Sequence, residues 1–324
     1  MRNSISVGIA GEAPIRNAAL FRSLVGKNIK IQELSQQDLE SGTEVDVLVS
    51  RNFLQTSAWP HLKLLQIPTS GTETVDFTAV PEHITICNAV GHAPAMAEYN
   101  VYALLSLLRG FHREEKKFRS HPELLLKREN WAFTRELREC DVGILGAGDV
   151  ARETALLLEG FGATVRVCSR KQPSAAIRGA KWYAATQLKD FYKNLDALVI
   201  ACPLTQLTKS SVGMSQFALM RNGIIVNSAR AEILELLDLE KALESGMLFG
   251  AALDVWKDSF AGIGPFQHFP NVIATPHISA WTHLMLKRRW SQIAQNVTRI
   301  SDGLAPSNIV RASSNDCLVN VKLS

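Results

Sequence analysis

The sequence predicts an α/β protein built on parallel sheets, and two patterns carry that reading. Short apolar runs alternate with amphipathic stretches along almost the whole chain, the order that strand–helix–strand connections produce. Most of those runs are apolar at nearly every position. This is the mark of strands covered on both faces, not of a sheet with one face in water. The length, 324 residues, favours two domains over one.

In chain order, SVGIA (6–10), VDVLVS (45–50), LKLLQIP (62–68) and ITICN (84–88) read as strands of a first unit. AMAEYNVYALLSLLRGFHREEKKFR (95–119) then carries apolar residues at helical spacing over most of its length. DVGILGAG, TVRVCSR, LDALVIACP, GIIVNSA, LFGAALDVW and NVIATP follow as strand candidates of ordinary length, so the sheet of a second unit runs from about 141 to 275. LMLKRRWSQIAQNVTRISDG (284–303) reads as one long amphipathic helix, too short for a domain and expected to pack back on the first unit. No internal repeat or low-complexity segment interrupts this order.

Composition narrows the function. Apolar residues make up 46% and charged residues 20%, ordinary for a chain with a full core. A formal charge of +4 is too small to imply nucleic acid. The densest basic runs, HREEKKFRSH (112–121) and LKRRW (286–290), read as solvated helix faces without the interleaved aromatics that stack bases. No apolar run reaches the roughly 18 residues of a membrane span. The amino terminus, MRNSISVGIAGEAP, reads as a first strand and turn, not a signal peptide. Cys87, Cys140, Cys168, Cys202 and Cys317 form no CxxC pair, and three lie in apolar runs. Reduced, mostly buried thiols in a cytoplasmic protein are expected, with no disulfide and no metal site.

The first chemical motif is VGILGAGDVARETALLLEGFG. Gly146, Gly148 and Ala151 form a GxGxxA loop between a strand and a helix. Such a loop needs small residues: Gly146 for the tight turn, Gly148 so that the backbone can approach a pyrophosphate, Ala151 for close packing of helix on strand. The helix start, at Asp149 and Val150, would then present free N–H groups to the phosphates. A glycine triplet alone is weak evidence. With a strand before, a helix after and a second strand at the right distance, it reads as a dinucleotide site. An acidic residue about 20 positions on would bind the ribose 2′-hydroxyl of NAD. The second strand ends instead in Ser169, Arg170 and Lys171, which can hydrogen-bond and neutralise a 2′-phosphate. NADP is therefore expected over NAD, against the plainer reading of two basic residues on a surface turn.

Further motifs stand in order beyond this point: ACPLTQLTKSSVG (201–213), IIVNSARAEILELLDLEKALESGMLFGAALDV (224–255) and NVIATPHISAWT (271–282). Together they resemble the D-isomer-specific 2-hydroxyacid dehydrogenase family, without an evident gap from about Ala97 to Thr282 and more loosely towards both ends. The resemblance implies two Rossmann/flavodoxin-like doubly wound parallel-sheet domains, the cofactor domain inserted in the substrate domain. The boundaries it suggests are 1–98 with 284–324 for the substrate domain and 99–283 for the dinucleotide-binding domain, MAEYNV (96–101) being the crossing point. It also implies a cleft active site, a small 2-oxo or 2-hydroxy acid as substrate and a homodimer. By the same resemblance, Arg230 of SARA clamps the substrate carboxylate and His277 of TPHISA is the acid–base group. A fixed donor fork suits a planar carboxylate, and an imidazole can protonate the carbonyl oxygen as hydride arrives. Asp254 of LDV would lie near the nicotinamide carboxamide; Cys202, Pro203, Thr208, Ser228 and Ala229 would line the cofactor. TSGTETVD (69–76) resembles the loop that holds the substrate carboxylate, through Ser70, Gly71 and Thr72. Trp281 reads either as a wall of the substrate site or as packing between domains.

One position departs from the family pattern. The family places a glutamate five residues after the aspartate of LDV, where it hydrogen-bonds the histidine. That position here is Ser259, and the ionisable neighbour, Asp258, comes one residue early with one methylene less. DVW…PF…FPNVIATPH…WT resembles a divergent branch whose members also lack the glutamate. Three readings stay open. Asp258 replaces the glutamate; Ser259 or water orients His277 with substrate charge nearby; or the chain is a catalytically impaired, nucleotide-binding regulatory protein. A lone histidine would make reduction faster as the pH falls below about 7. The expected function is NADP(H)-dependent reduction of a small 2-oxo acid. The alternatives are the regulatory binder and a reductase of another anionic substrate, for instance one bearing a phosphonate.

Overall fold

The computed structural model describes residues 5–54, 59–123, 134–257 and 263–311. The chain divides into two compact units, residues 1–91 with 282–324 and residues 92–281. The second unit thus begins seven residues before the boundary read from the sequence. The reason is local: the MAEYNV segment lies inside a single helix that starts at Ala93, so no break falls at residue 98.

The first unit opens with strand β1 (Ile5–Ala10), short helices α1 (Glu12–Arg16) and α2 (Ala18–Leu24), strand β2 (Ile29–Leu34) and helix α3 (Gln36–Ser41). Strands β3 (Val47–Val49), β4 (Leu64–Gln66) and β5 (Thr85–Cys87) follow. In the second unit come helices α4 (Ala93–Arg109) and α5 (Phe111–Ser120), strand β6 (Asp141–Leu145), helix α6 (Asp149–Gly160), and strands β7 (Thr164–Ser169) and β8 (Ala180–Ala184). Helix α7 (Leu188–Tyr192), strand β9 (Ala197–Ile200), helix α8 (Met214–Phe217), strand β10 (Ile224–Asn227), helix α9 (Leu236–Glu244), and strands β11 (Gly250–Leu253) and β12 (Val272–Ala274) complete it. The chain then returns to the first unit with helix α10 (His283–Ser301) and strand β13 (Ile309–Arg311).

Among the described residues the first unit holds a six-stranded sheet in the order β13-β5-β4-β3-β1-β2, parallel except for β13, which runs antiparallel to β5. Its α10 lays Trp290, Ile293, Ala294 and Val297 against Ile5, Val7 and Phe21, with the Phe21 and Trp290 rings 5.5 Å apart. Burying side chains of this size contributes roughly 1.5–3 kcal/mol each. A second layer, built from Leu48, Leu65, Ile67 and Trp59, covers the other face. Asn296, fully buried in α10, donates to Gln66 Oε1 at 2.8 Å and accepts from Ser307 N–H at 2.7 Å, which ties the helix to the strand and to the returning tail.

Among the described residues the second unit holds a seven-stranded sheet, all parallel, in the order β12-β11-β10-β9-β6-β7-β8. Strands β9, β10 and β11 are buried at every residue, as both-face coverage demands. One core cluster gathers α4, α6 and one face of the sheet; another gathers α7, α8, α9 and the opposite face. At the amino-terminal edge, Asp196 just before β9 accepts from Arg221 Nη2 at 2.7 Å, Arg135 Nη2 at 2.9 Å and the Asp141 N–H at 2.8 Å. Burial pushes this carboxyl up, but those donors outweigh it and hold the group below the ordinary range. No helix among the described residues is long and apolar enough to cross a membrane. Cys87, Cys140, Cys168 and Cys202 are free and buried; Cys317 lies outside the described residues.

Candidate active site

Because every strand of the second sheet runs the same way, all the loops that follow the strands leave along one edge. In open α/β sheets that carboxyl edge is where ligands bind. The candidate segments of this unit fall along it, after β6, β7, β9, β10, β11 and β12.

The turn after β6 requires glycine. Gly146 has φ of +119°, and a Cβ there would stand 2.5 Å from the Ala201 carbonyl oxygen and 2.8 Å from the Cys202 nitrogen. At Gly148, the residue before α6, an added Cβ would meet nothing within 4 Å, so the backbone there is open. The α6 ladder begins with Arg152 N–H on the Gly148 carbonyl at 3.0 Å, and the N–H groups of Asp149, Val150 and Ala151 precede it. Ala151 is fully buried and lets α6 lie close against the sheet. A close turn, an open backbone and a free helix start fit a pyrophosphate.

At the end of β7, Ser169 Oγ donates to the Lys171 carbonyl at 2.7 Å and accepts from Trp182 Nε1 at 2.9 Å. Its proton is therefore already committed within the turn. Arg170 and Lys171 are exposed and have no ion-pair partner among the described residues. After β9, Thr208 Oγ1 donates to the Pro203 carbonyl at 2.7 Å and accepts from Thr205 N–H at 2.8 Å, closing a tight turn. The Cys202 side chain belongs to the core, and burial pushes its thiol up to about 11.

After β10, Arg230 stands three residues beyond the strand. Asn227, the last residue of β10 and fully buried, grips this loop from inside. Its Oδ1 accepts from Ala229 N–H at 3.1 Å and its Nδ2 donates to the Arg230 carbonyl at 3.0 Å. Arg230 Nη1 donates to the Ala229 carbonyl at 2.8 Å. Ser228, expected against the cofactor, is buried and donates to Asn100 Oδ1 at 2.9 Å. Asn100 Nδ2 donates in turn to Thr154 Oγ1 at 3.1 Å, so α4 and α6 both support the arginine loop.

After β12, His277 also stands three residues beyond its strand, and it is exposed. Its φ is +58°, the left-handed region, which costs a non-glycine residue about 1 kcal/mol or more. Asp254, expected near the nicotinamide carboxamide, is fully buried beneath this turn. Its Oδ1 accepts from Thr275 Oγ1 at 2.6 Å and from Ile278 N–H at 2.8 Å; its Oδ2 accepts from Ser279 N–H at 2.8 Å. Trp256 Nε1 donates to the Thr275 carbonyl at 2.8 Å, and the Tyr99 hydroxyl lies 2.9 Å from Thr275 Oγ1. Trp281, at the end of this segment, is 69% exposed. Asp258 and Ser259, the two candidates for the place of the missing glutamate, lie outside the described residues.

In the first unit, the loop with Ser70, Gly71 and Thr72 is pinned at its flanks. Ala89 N–H donates to the Thr69 carbonyl at 3.1 Å and Asn88 Nδ2 to the Ser70 carbonyl at 2.9 Å. The N–H groups of Ser70, Gly71 and Thr72 have no hydrogen-bond partner among the described residues, which leaves donors of the kind a carboxylate accepts.

The sequence reading missed the supporting residues: Asn227, Thr275, Tyr99, Trp256, Asn100 and Thr154. A signal existed for Asn227, a polar residue closing an otherwise apolar strand, and for Tyr99 and Asn100, polar residues on the buried side of a helix. Neither pattern says which loop is being held.

A family model described as "D-isomer specific 2-hydroxyacid dehydrogenase, NAD binding domain" matches residues 101–279. Glyoxylate/hydroxypyruvate reductase A of Serratia proteamaculans is 32% identical over 225 residues, 68% of this chain and 68% of that protein. Among solved structures, the NADPH-dependent glyoxylate/hydroxypyruvate reductase of Sinorhizobium meliloti, in complex with NADP and sulfate, matches with a TM-score of 0.78 at 23% identity, over 94% of this chain and 98% of that one. The D-isomer specific 2-hydroxyacid dehydrogenase of Lactobacillus delbrueckii ssp. bulgaricus, in its NAD-complexed form, matches with a TM-score of 0.75 at 20% identity, over 94% and 99%. These two structures show the shared fold.

Proposed function

The chain belongs to the D-isomer specific 2-hydroxyacid dehydrogenase family, and within it we propose an NADP(H)-dependent reductase that converts a small 2-oxo acid to the D-2-hydroxy acid. The family makes it an oxidoreductase of 2-oxo and 2-hydroxy acids with a nicotinamide dinucleotide. The substrate, the preference for NADP and the roles of individual residues are our reading.

One observation carries it. Arg230 and His277 each sit three residues beyond a strand, on the same sheet edge as the Gly146 turn, and each is held by a buried polar side chain at a strand end. When bound, the nicotinamide supplies the hydride. Arg230 would hold the substrate carboxylate with its donor fork and fix the carbonyl carbon in position. His277 would give its proton to the carbonyl oxygen as the carbon is reduced, and take it back in the reverse direction. Arg170 and Lys171, exposed at the end of β7 where NAD enzymes carry an acidic residue, favour a 2′-phosphate.

Among the Ser169 contacts, the committed hydroxyl shifts this task onto Arg170 and Lys171. The test is turnover of glyoxylate, hydroxypyruvate and phenylpyruvate with NADPH and with NADH, with chiral analysis of the product. D-configured product formed faster with NADPH supports the reading. Tight NADPH binding without turnover of any oxo acid would favour the regulatory binder, which the serine at position 259 keeps in play.

A further inference from the structure

We propose that Tyr99, Thr275 and Asp254 form a positioning network that sets the backbone of His277, so that the histidine is aimed through its main chain. This rests on the reading of His277 as the acid–base group.

The turn at 275–279 is fastened at five backbone or side-chain points around His277. Thr275 N–H donates to the Leu253 carbonyl at 3.0 Å, and its carbonyl accepts from Trp256 Nε1 at 2.8 Å. Thr275 Oγ1, Ile278 N–H and Ser279 N–H all donate to the one carboxylate of Asp254. A left-handed residue persists where its surroundings over-determine it, and these bonds bracket His277 on both sides. A carboxylate is the side chain that can accept all three donors at once, because both its oxygens are acceptors and neither carries a hydrogen. An asparagine would turn an NH₂ towards at least one of those N–H or O–H donors.

Tyr99 completes the chain. The hydroxyl proton of Thr275 goes to Asp254, so the 2.9 Å contact leaves the phenol as donor to Thr275 Oγ1. Burial, with the Asp254 charge nearby adding to it, pushes the Tyr99 phenol up to about 12, which keeps that donor proton in place at neutral pH. Helix α4 is thereby linked to the histidine turn by a directional relay, Tyr99 to Thr275 to Asp254. The imidazole itself has no hydrogen-bond partner among the described residues, so what these residues fix is the direction in which it leaves the backbone.

The experiment compares Thr275→Val, Thr275→Ser, Tyr99→Phe, Asp254→Asn and His277→Gln in the full chain. Glyoxylate is the probe substrate, with kcat and KM measured at saturating NADPH. The NADPH dissociation constant is read from nucleotide fluorescence, and amide exchange is followed at Ile278 and Ser279. Thr275→Val should lower kcat about 10- to 100-fold, as misplacing a reacting group does, while KM and NADPH affinity stay near the parent values. Thr275→Ser, which keeps the hydroxyl, should restore the rate, and Tyr99→Phe should show a smaller loss of the same kind. Exchange at Ile278 and Ser279 should quicken in Thr275→Val and Asp254→Asn. Should Asp254→Asn fail to fold, Thr275→Val and Tyr99→Phe decide alone. Parent-like kcat in Thr275→Val and Tyr99→Phe, beside an inactive His277→Gln, would overturn the proposal and leave the acid–base reading standing. A loss of NADPH affinity matching the loss of rate would also overturn it, by assigning the network to cofactor binding. A His277→Gln enzyme with the parent rate would remove the acid–base reading first.

Discussion

The carbonyl of Asn227 accepts a hydrogen bond from the N–H of Asp254 at 3.0 Å. Asn227 holds the arginine loop with its side chain and Asp254 holds the histidine turn with its carboxylate. That one backbone bond, from the residue just after β11 to the last residue of β10, therefore joins the supports of both candidate catalytic groups. Asn227→Ala should free the Arg230 loop and leave the Ala229 N–H without its partner. The expected result is a KM for the oxo acid that rises together with a loss of about 1–3 kcal/mol of stability, read from steady-state kinetics and urea melts of the same preparation.

Cofactor choice should depend on the end of β7. Arg170→Ala, with or without Lys171→Ala, should weaken NADPH by about 10- to 100-fold, the worth of one or two charge-assisted hydrogen bonds, and leave NADH nearly unchanged. Fluorescence titration with both nucleotides measures this. Equal losses for NADH and NADPH would show that these side chains serve the adenine or the fold and not the 2′-phosphate.

Gly146→Ala should destabilise the second unit. The added methyl would sit 2.5 Å from the Ala201 carbonyl oxygen at a φ of +119°. Strain and overpacking of this kind cost about 2–3 kcal/mol, a fall of roughly 5–10 °C in Tm. Calorimetry of the variant tests the figure, and loss of NADPH binding should accompany it.

Acid should weaken the chain through Asp196. Its carboxyl titrates below the ordinary value of about 3.9 when folded. A group with a lowered folded pKa contributes its stability in full above the unfolded value. That contribution is lost as the pH falls through the lowered folded value. Asp196→Asn should be less stable than the parent at pH 7 and should lose less on acidification from pH 5 to pH 2.5. Thermal melts across that range, with parallel slopes for the two proteins, would count against the role of this carboxylate.

The parts of this architecture that were legible in the sequence are those that burial imposes. β6, β9, β10 and β11 announced themselves because both faces are covered and nearly every residue is apolar. The strands that escaped notice are at sheet edges. β2 reads IKIQEL with a half-exposed pattern, and β8 reads AKWYA with no residue fully buried. An edge strand meets water on one side, so its composition loses the apolar signal. β13 is three residues long and pairs antiparallel after a long helix, which no local pattern foretells. The site divides in the same way. Gly146, Arg230 and His277 stand in local motifs that a reader can match. The LDV motif points to Asp254, but its three hydrogen bonds to a turn more than 20 residues away are a tertiary fact. The motifs place Ser169 and Ser228 beside a cofactor; folding also pairs their hydroxyls with the Lys171 carbonyl and the Asn100 side chain.

In the proposed reaction Arg230 and His277 act on a 2-oxo acid beside a nicotinamide. Comparing kcat/KM for NADPH-dependent reduction in the parent, Arg230→Ala and His277→Gln tests it most directly, with NADPH affinity measured in each. The parent should be active, and His277→Gln should fall about 10²–10⁴-fold. Arg230→Ala should fall at least about 100-fold, with NADPH bound nearly as well in all three. A parent that binds NADPH but reduces no oxo acid, or a His277→Gln variant that keeps the parent rate, would contradict it.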